Sequence, residues 1–206
     1  MQTKTKIALA LVVFALFSAT GARAFKGPRV ITDDLIRRID PLVKKNYADV
    51  LNPAMAAGGI TTLPRIAAFL AQILFESGHF QYMREIASGE AYEGRKDLGN
   101  TQPGDGVRYK GRGFIQLTGR ANFRSAGKDL GLDLEGNPDL AEQPEVAARL
   151  AVWFWTKRNI NAKADVGDFV GVTRLINGGT RGLEGRTRLY ESAKSVLASA
   201  GGPAVA

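Results

Sequence analysis

The chain is 206 residues long, with 45% hydrophobic residues, 23% charged residues and a formal net charge of +8. This length fits one domain with a leader, and this composition excludes a chain that is disordered throughout. With no cysteine and a single histidine, disulfide scaffolds and most zinc sites are excluded as well.

The N-terminal residues are typical of a secretory signal peptide. Two lysines precede an 11-residue apolar run at 7–17, and an Ala-x-Ala pattern ends at Ala24. The run is too short to cross a hydrocarbon core of about 30 Å as a helix. We therefore predict that residues 1–24 direct export to the periplasm or beyond, with a weak retained anchor and transient membrane contact as the alternative. Cleavage there would leave a net charge of +5, which indicates an anionic partner.

The mature chain begins with helical patterns. The segment LIRRIDPLVKKNYADVL has apolar residues at helical spacing and follows the capping residue Thr32. Pro41 is expected to break or kink this helix, and NPAMAAGGI is predicted as a loop. A second helix, TLPRIAAFLAQILFESG, is predicted to begin at the cap Thr62, to stop at Gly78 and to bury an apolar stripe.

The stretch from Glu90 to Gly113 is rich in glycine and has no period, which predicts a long loop with a functional role. VRYKGRGFIQL, which overlaps the end of this loop, is the best candidate for a short β-hairpin. Three later segments are predicted as helices: PEVAARLAVWFWTKRNI, DVGDFVGVTRLINGG and EGRTRLYESAKSVLAS. The predicted fold class is mainly α with at most a short β-hairpin, as a single domain over residues 25–200 followed by a flexible tail at 201–206.

Carboxylates are the chemistry that remains once other motifs are excluded. The sequence has no HExxH, CxxC, calcium-loop or phosphate-loop motif, so we predict neither a metal nor a cofactor. The segment ILFESGHFQYMREIASGEAYEGR carries four glutamates and the single histidine, namely Glu76, Glu85, Glu90, Glu93 and His79. Such a cluster fits a solvated surface as well as an acid–base pair, and both interpretations stay open at this point.

Two of these glutamates suit opposite roles in acid–base catalysis. Glu76 follows an apolar run at a predicted helix C-terminus, where the charged form of a carboxyl group is disfavoured. Glu85 lies nine residues further on, past the break at Gly78 and beside Arg84, where a carboxylate can stay ionised. Inverting glycoside hydrolysis uses such a pair at a separation of about 6.5–9.5 Å, with a water beside the base.

Three separated segments resemble one enzyme family. They are FLAQILFESGHFQYMREI, then YEGRKDLGNTQPGDGVRYKGRGFIQLTGRANF, and finally VTRLINGG with the GRTRLYE that follows. In order and spacing they are similar to the catalytic domain of glycoside hydrolase family 19, and especially to its short phage-endolysin branch, from Asp33 to Leu197. The resemblance implies a lysozyme-like helical fold around a substrate groove.

The resemblance also implies roles for individual residues. Glu76 corresponds to the general acid of the family and Glu85 to the general base that positions a water, while Glu93 is the rival base. Four residues are expected to line the sugar cleft: Gln116, Thr118, Asn122 and Asn177. Arg186 is expected to stabilise the charge of the base. Tyr109 and Arg112 are expected to flank the cleft.

Two positions depart from the family pattern. Phe75 stands where many members have histidine, and we expect it to make the surroundings of Glu76 more apolar. His79 stands where most members have glycine, and it is expected to narrow or recharge the cleft. Taken alone, a single histidine is more often a structural or surface residue than a catalyst.

The sequence favours one function and leaves two others open. The leading hypothesis is a secreted, monomeric endolysin or muramidase that cleaves the β-1,4 bonds of peptidoglycan by inversion. A chitinase acting on N-acetylglucosamine polymer is the alternative enzyme, because both substrates contain the same acetamido sugar. A non-catalytic cationic protein that binds cell walls or membranes is the alternative from another class. Export argues against nucleic acid as the partner of the positive charge.

Overall fold

The structure is a computed structural model that describes residues 30–201. Within this range the chain forms nine α-helices, three 3₁₀ turns and no named strand, so the mainly α class is confirmed. The predicted hairpin is reduced to two isolated β-bridges, which pair Arg112 with Arg84 and with Leu117. The helices are α1 Asp33–Ile39, α2 Ala48–Ala57, α3 Leu63–Glu76, α4 Asp105–Arg108, α5 Arg120–Leu130, α6 Pro144–Lys157, α7 Asn161–Asp165, α8 Phe169–Asn177 and α9 Leu183–Ser199.

Helix α3 forms the centre of the core. Its residues from Ile66 to Leu74 are all buried, as expected for a helix that is apolar around most of its circumference. Helix α9 packs along α3, and helices α7 and α8 also contact it. The side chain of Thr62 does not make the predicted cap, since its hydroxyl is buried without a hydrogen-bond partner. The dense packing of α3 fixes the position of its last residue, Glu76, at the edge of the core.

The first predicted helix is shorter than its apolar pattern. Thr32 Oγ1 accepts a hydrogen bond from Leu35 N at 3.1 Å, which confirms the predicted cap. Helix α1 then ends at Ile39, because the residue before Pro41 is sterically disfavoured in the helical region. The helical pattern resumes only at α2, after an exposed connection.

The prediction that NPAMAAGGI forms a loop is wrong. Most of this segment belongs to α2, which contains Pro53. The buried side chain of Asn52 accepts hydrogen bonds from the backbone N–H groups of Val30 and Ile31 and donates to the carbonyls of Ile31 and Ala48. This tertiary anchor holds the helix in spite of the proline, whose propensity alone argues against it.

The glycine-rich stretch 90–113 is largely irregular, as predicted, with two 3₁₀ turns and the four-residue helix α4. Two buried polar residues organise it: Asn100 donates to the carbonyl of Tyr92, and Asp105 accepts from Arg120. Helix α5, which follows, was not predicted. Its sequence has few apolar residues to mark a helix, since polar residues outnumber the ones that it buries.

Part of the sequence prediction falls outside the described residues. The proposed leader at 1–24 and residues 202–206 of the proposed tail lie there, and both remain predictions. Within residues 30–201, no helix is long and apolar enough to cross a membrane.

Candidate active site

Glu76 lies at the C-terminal end of α3 with one of its two oxygens engaged. Its Oε1 accepts a hydrogen bond from Arg186 Nη2 at 2.5 Å, and its side chain is 19% exposed. No donor in the described part of the chain binds Oε2. This second oxygen is therefore open to a bound molecule.

Arg186, on α9, is buried and held from several sides. Its Nη1 donates to Gln72 Oε1, and its guanidinium lies over the Phe75 ring at 4.3 Å from the ring centre. Gln72 is fully buried and donates in turn to Thr173 Oγ1 at 2.9 Å. Gln72 lies one helical turn before Glu76, so α3 presents both side chains to the same guanidinium.

The expectation that Arg186 stabilises the base is wrong. The structure places its guanidinium on Glu76, the proposed acid, and not on Glu85. The sequence could not distinguish the two because Arg186 is more than 100 positions from either glutamate.

Glu85 lies on the segment that follows α3 and is tied to Gly111 through two hydrogen bonds. Its backbone N–H donates to Gly111 O at 2.9 Å, and Gly111 N donates to Glu85 Oε2 at 3.0 Å. Tyr92 Oη donates to Glu85 Oε1 at 2.9 Å. These two donors hold the Glu85 carboxylate in a fixed position, as the proposed role of general base requires.

Gly111 is a position where a side chain would disturb the base. A Cβ added there would lie 2.7 Å from Gln116 Oε1 and 3.2 Å from Glu85 Oε2. The absence of a side chain lets the backbone approach the carboxylate closely enough to donate to it.

The charge of Arg181, which lies near Glu76, acts on Tyr92, which binds Glu85. Arg181, in the loop before α9, accepts a hydrogen bond at its carbonyl from Arg186 Nε at 3.2 Å. Burial, with the hydrogen bond to Glu85, raises the pKa of Tyr92, while the positive charges of Arg95 and Arg181 oppose this rise. Arg181 is thus anchored beside the partner of Glu76, and its charge also acts on the phenol that binds Glu85.

The predicted cleft residues after Gly111 form a hydrogen-bonded series. Gln116 Nε2 donates to Gly113 O at 2.9 Å, Thr118 Oγ1 donates to Gln116 O at 2.9 Å, and Asn122 Nδ2 donates to Thr118 O at 2.7 Å. Gln116 has a φ of +50°, a strained conformation for a residue with a side chain. The contact at Gly111 places Gln116 next to Glu85, and a role of this series in binding sugar stays a prediction.

Asn177, at the end of α8, shapes the loop on the side of the acid. Its Nδ2 donates to Arg181 O at 2.9 Å, and its Oδ1 accepts from Gly179 N at 2.9 Å. Asn177 and Arg186 therefore donate to the same carbonyl, that of Arg181. The structure brings Asn177 to the site, while a contact with substrate stays a prediction.

Tyr109 and Arg112 do not flank the cleft, and this prediction is wrong. Tyr109 is 1% exposed and donates its hydroxyl to Glu135 O at 2.9 Å. Arg112 is 4% exposed and bonds to the carboxylates of Glu142 at 2.9 Å and Asp139 at 3.0 Å. Both side chains make their hydrogen bonds within the protein and expose almost no surface to a substrate.

Glu93, the rival base, is engaged in the glycine-rich loop. Its Oε1 accepts from Gly104 N at 2.7 Å and its Oε2 from Gly106 N at 2.8 Å. Two backbone amides of the glycine-rich loop thus hold this carboxylate. This arrangement ties the loop to the start of α4, which is a structural task.

We expect Glu93→Gln to affect stability and to leave catalysis nearly unchanged. The glutamine NH₂ would face a backbone N–H, and losing one such hydrogen bond should lower the free energy of unfolding by about 1–3 kcal/mol. Urea unfolding and steady-state kinetics of the same preparation measure both effects. If kcat falls by about 100-fold or more, the loss expected for a general base, Glu93 and not Glu85 holds that role.

His79 and Phe75 have structural contacts. His79 Nδ1 lies 2.6 Å from Oδ2 of the buried Asp40, which follows α1. Phe75 packs under Arg186 and against the backbone of Gly182, where an added Cβ would lie 2.2 Å from the ring. His79 therefore joins the segment after α3 to α1, and Phe75 fixes the arginine that binds Glu76.

Sequence reasoning missed three residues of the site: Gln72, Tyr92 and Arg181. Gln72 left a signal, since it is the polar residue in the apolar run IAAFLAQILF, where a buried amide needs partners. Tyr92 and Arg181 left none, because their importance depends on contacts between loops that are distant in sequence. Among the described residues, no group of three or more His, Asp or Glu side chains is placed to hold a metal ion.

The helical core holds Glu76 at the end of α3 and Glu85 on the segment that follows, each through its own hydrogen bonds. This arrangement is typical of a lysozyme-like fold. The sequence profile described as Chitinase class I, that of glycoside hydrolase family 19, matches residues 52–173. The match covers more than half of the chain, and the protein belongs to glycoside hydrolase family 19.

Relatives of the chain include plant and bacterial proteins. An endochitinase of Arabidopsis thaliana is 45% identical over 122 residues, which are 59% of this chain and 42% of that protein. A glycosyl hydrolase family 19 domain-containing protein of Haemophilus influenzae is 28% identical over 194 residues, covering 79% of this chain and 95% of that one. The chain thus matches well under half of the length of the plant enzyme.

The fold is similar to that of solved bacterial chitinases. The crystal structure of chitinase C from Streptomyces griseus HUT6037 superposes with a TM-score of 0.71 at 26% identity, covering 90% of this chain and all of that one (100%). The predicted family and the lysozyme-like fold are confirmed. The phage-endolysin branch stays a prediction.

Proposed function

We propose that this protein hydrolyses the β-1,4 bonds of an N-acetylated glycan with Glu76 as general acid and Glu85 as general base. The observation that carries the proposal is the different environment of the two carboxylates. Glu76 has an oxygen without a donor among residues 30–201, whereas both oxygens of Glu85 accept hydrogen bonds. The open oxygen of Glu76 is thus placed to act on a bound glycosidic oxygen, while the donors on Glu85 hold its carboxylate where it can bind a water.

The proposed reaction is a single displacement. Glu76 Oε2 protonates the glycosidic oxygen as the bond to the anomeric carbon breaks. Glu85 removes a proton from a water as its oxygen bonds to that carbon from the opposite face, which inverts the configuration. The proton lost by Glu76 is balanced by the one gained at Glu85, and exchange with solvent resets both groups. The proposed step uses the two carboxylates and one water.

We propose peptidoglycan as the substrate, because charge favours an anionic polymer. The segment 37–45 exposes four cations, namely Arg37, Arg38, Lys44 and Lys45. None of the four pairs with a carboxylate within the described range, and the nearby Asp40 is buried against His79. Peptidoglycan carries carboxylates on its stem peptides and on lactyl groups that bear no peptide, whereas chitin is neutral. The protein would act as an exported monomer, delivered by the proposed leader at 1–24.

A chitinase remains the second candidate. The observation that favours it is that the Arabidopsis relative and the Streptomyces structure are both named as chitinases. The acid and base would be the same, because chitin has the same β-1,4 bond and acetamido group.

The test is product release by the full-length and leader-free proteins from purified peptidoglycan and, in parallel, from colloidal chitin. Reducing ends, product masses and the anomer present in fresh product are measured. We expect new saccharide ends from peptidoglycan, first formed with inverted configuration, and their loss in Glu85→Gln. Release from chitin alone would make the protein a chitinase. If neither polymer is cut, the proposal fails in favour of a non-catalytic cationic binding protein.

A further inference from the structure

Arg181 carries an exposed guanidinium at the site that the proposed mechanism does not use. It lies between α8 and α9, and its side chain is exposed. In the described part of the chain its guanidinium has no carboxylate partner, while the neighbouring Arg186 and Arg188 pair with Glu76 and Glu184. Because no carboxylate among residues 30–201 pairs with it, this guanidinium is available to a ligand.

Hydrogen bonds fix the backbone of Arg181, and this sets the point from which its side chain extends. Its carbonyl accepts hydrogen bonds from Asn177 Nδ2 at 2.9 Å and from Arg186 Nε at 3.2 Å. The next residue, Gly182, packs against the Phe75 ring with no room for a side chain. The loop therefore cannot shift without disturbing the arginine that binds Glu76.

The charge of Arg181 also reaches the opposite side of the site. It acts on Tyr92, whose hydroxyl donates to Glu85 Oε1 at 2.9 Å. Arg95, the other cation that acts on Tyr92, is neutralised by Asp97, to which its Nε donates at 2.8 Å. Of these two cations, Arg181 is the one left to attract an anion near the bond that is cut.

We propose that Arg181 is a specificity-determining residue that binds a carboxylate substituent of the glycan next to the scissile bond. A guanidinium binds a carboxylate through two parallel hydrogen bonds. The amide or hydroxyl groups of a neutral polymer provide no such charge-assisted pair. The inference rests on the proposed function and names its substrate class, a glycan whose sugars carry carboxylates, ahead of neutral chitin.

The test compares one glycan in two chemical states. Soluble peptidoglycan strands are used as isolated and after carbodiimide conversion of their carboxylates to amides, with a neutral N-acetylglucosamine oligomer as a third substrate. For the parent, we expect kcat/KM to be higher on the carboxylated strands. In Arg181→Gln the ratio of carboxylated to amidated kcat/KM should fall about 10-fold or more, the loss of one charge-assisted hydrogen bond. The change should appear mainly in KM.

Two variants control for charge and for loop structure. Arg174→Gln removes one exposed cation from α8, where it acts on Asp168, and should keep the specificity ratio of the parent. Arg181→Lys should recover part of the ratio, because it restores the charge without the planar fork. A parent with equal kcat/KM on both strands would overturn the inference while leaving the proposed hydrolase intact. An equal loss on all three substrates in Arg181→Gln would also overturn it, since that marks a structural role. Hydrolysis of none of the three would instead reject the proposed function.

Discussion

Replacing Glu76 by glutamine is expected to lower kcat by about 100- to 10,000-fold, the usual contribution of a general acid. Glutamine has nearly the same shape, and its carbonyl oxygen can still accept the hydrogen bond from Arg186, so the fold and KM should change little. It carries no acidic proton, and the leaving oxygen would depart without protonation. Steady-state kinetics on peptidoglycan strands and on N-acetylglucosamine oligomers measure the loss.

The matched control for this experiment is Glu90→Gln. Glu90 is exposed and lies in the same glutamate-rich segment, so its replacement removes the same charge nearby. Its kcat should stay close to that of the parent. Parent-like kcat in Glu76→Gln, or an equal loss in Glu90→Gln, would show that the acid is misassigned.

Replacing Arg186 by methionine is expected to produce the largest loss of stability. The guanidinium is 3% exposed and donates to both Glu76 and Gln72. Methionine fills similar space but donates nothing, which leaves a carboxylate and a buried amide oxygen unpaired. Breaking a buried charge pair by removing one partner lowers the free energy of unfolding by about 3–5 kcal/mol. Urea unfolding followed by circular dichroism measures the difference.

Two further variants locate the origin of that loss. Arg186→Lys keeps a charge and should recover part of the stability, because one ammonium cannot reach both acceptors. Gln72→Leu, combined with Arg186→Met in a double-mutant cycle, isolates the coupling between the two side chains. If the free energy of unfolding falls by less than about 1 kcal/mol in Arg186→Met, the value of an ordinary surface pair, the contacts of Arg186 do not form a stabilising buried network.

The sequence predicted helices best where an apolar pattern continues through the core. Helix α3 was found nearly to the residue, since its apolar run can only be buried. The second half of α2 and the whole of α5 were missed for opposite reasons: Pro53 argued against a helix in the first, and polar residues obscured the second. In both cases tertiary contacts stabilise a helix that local propensity does not mark.

The sequence indicated which glutamates belong to the candidate site, but not which residues they contact. Glu76 and Glu85 followed from their positions relative to the helix break and from the family resemblance. The partner of Arg186 could not be predicted, because a sequence does not show which carboxylate a distant guanidinium contacts. Tyr109 and Arg112 were misjudged for the same reason: polar side chains near a motif were assumed to face solvent, whereas the fold buries them against carbonyls and carboxylates.

The hydrogen bond between Arg186 and Glu76 joins residues 110 positions apart. During synthesis at about 5–20 residues per second, the acid would leave the ribosome roughly 5–20 s before its arginine does. The nascent chain thus holds both glutamates long before it can hold Glu76 in place. A chain interrupted in this interval would contain both glutamates but not the helix that orients Glu76. The order of the segments along the chain would then delay the anchoring of Glu76 until α9 has been synthesised.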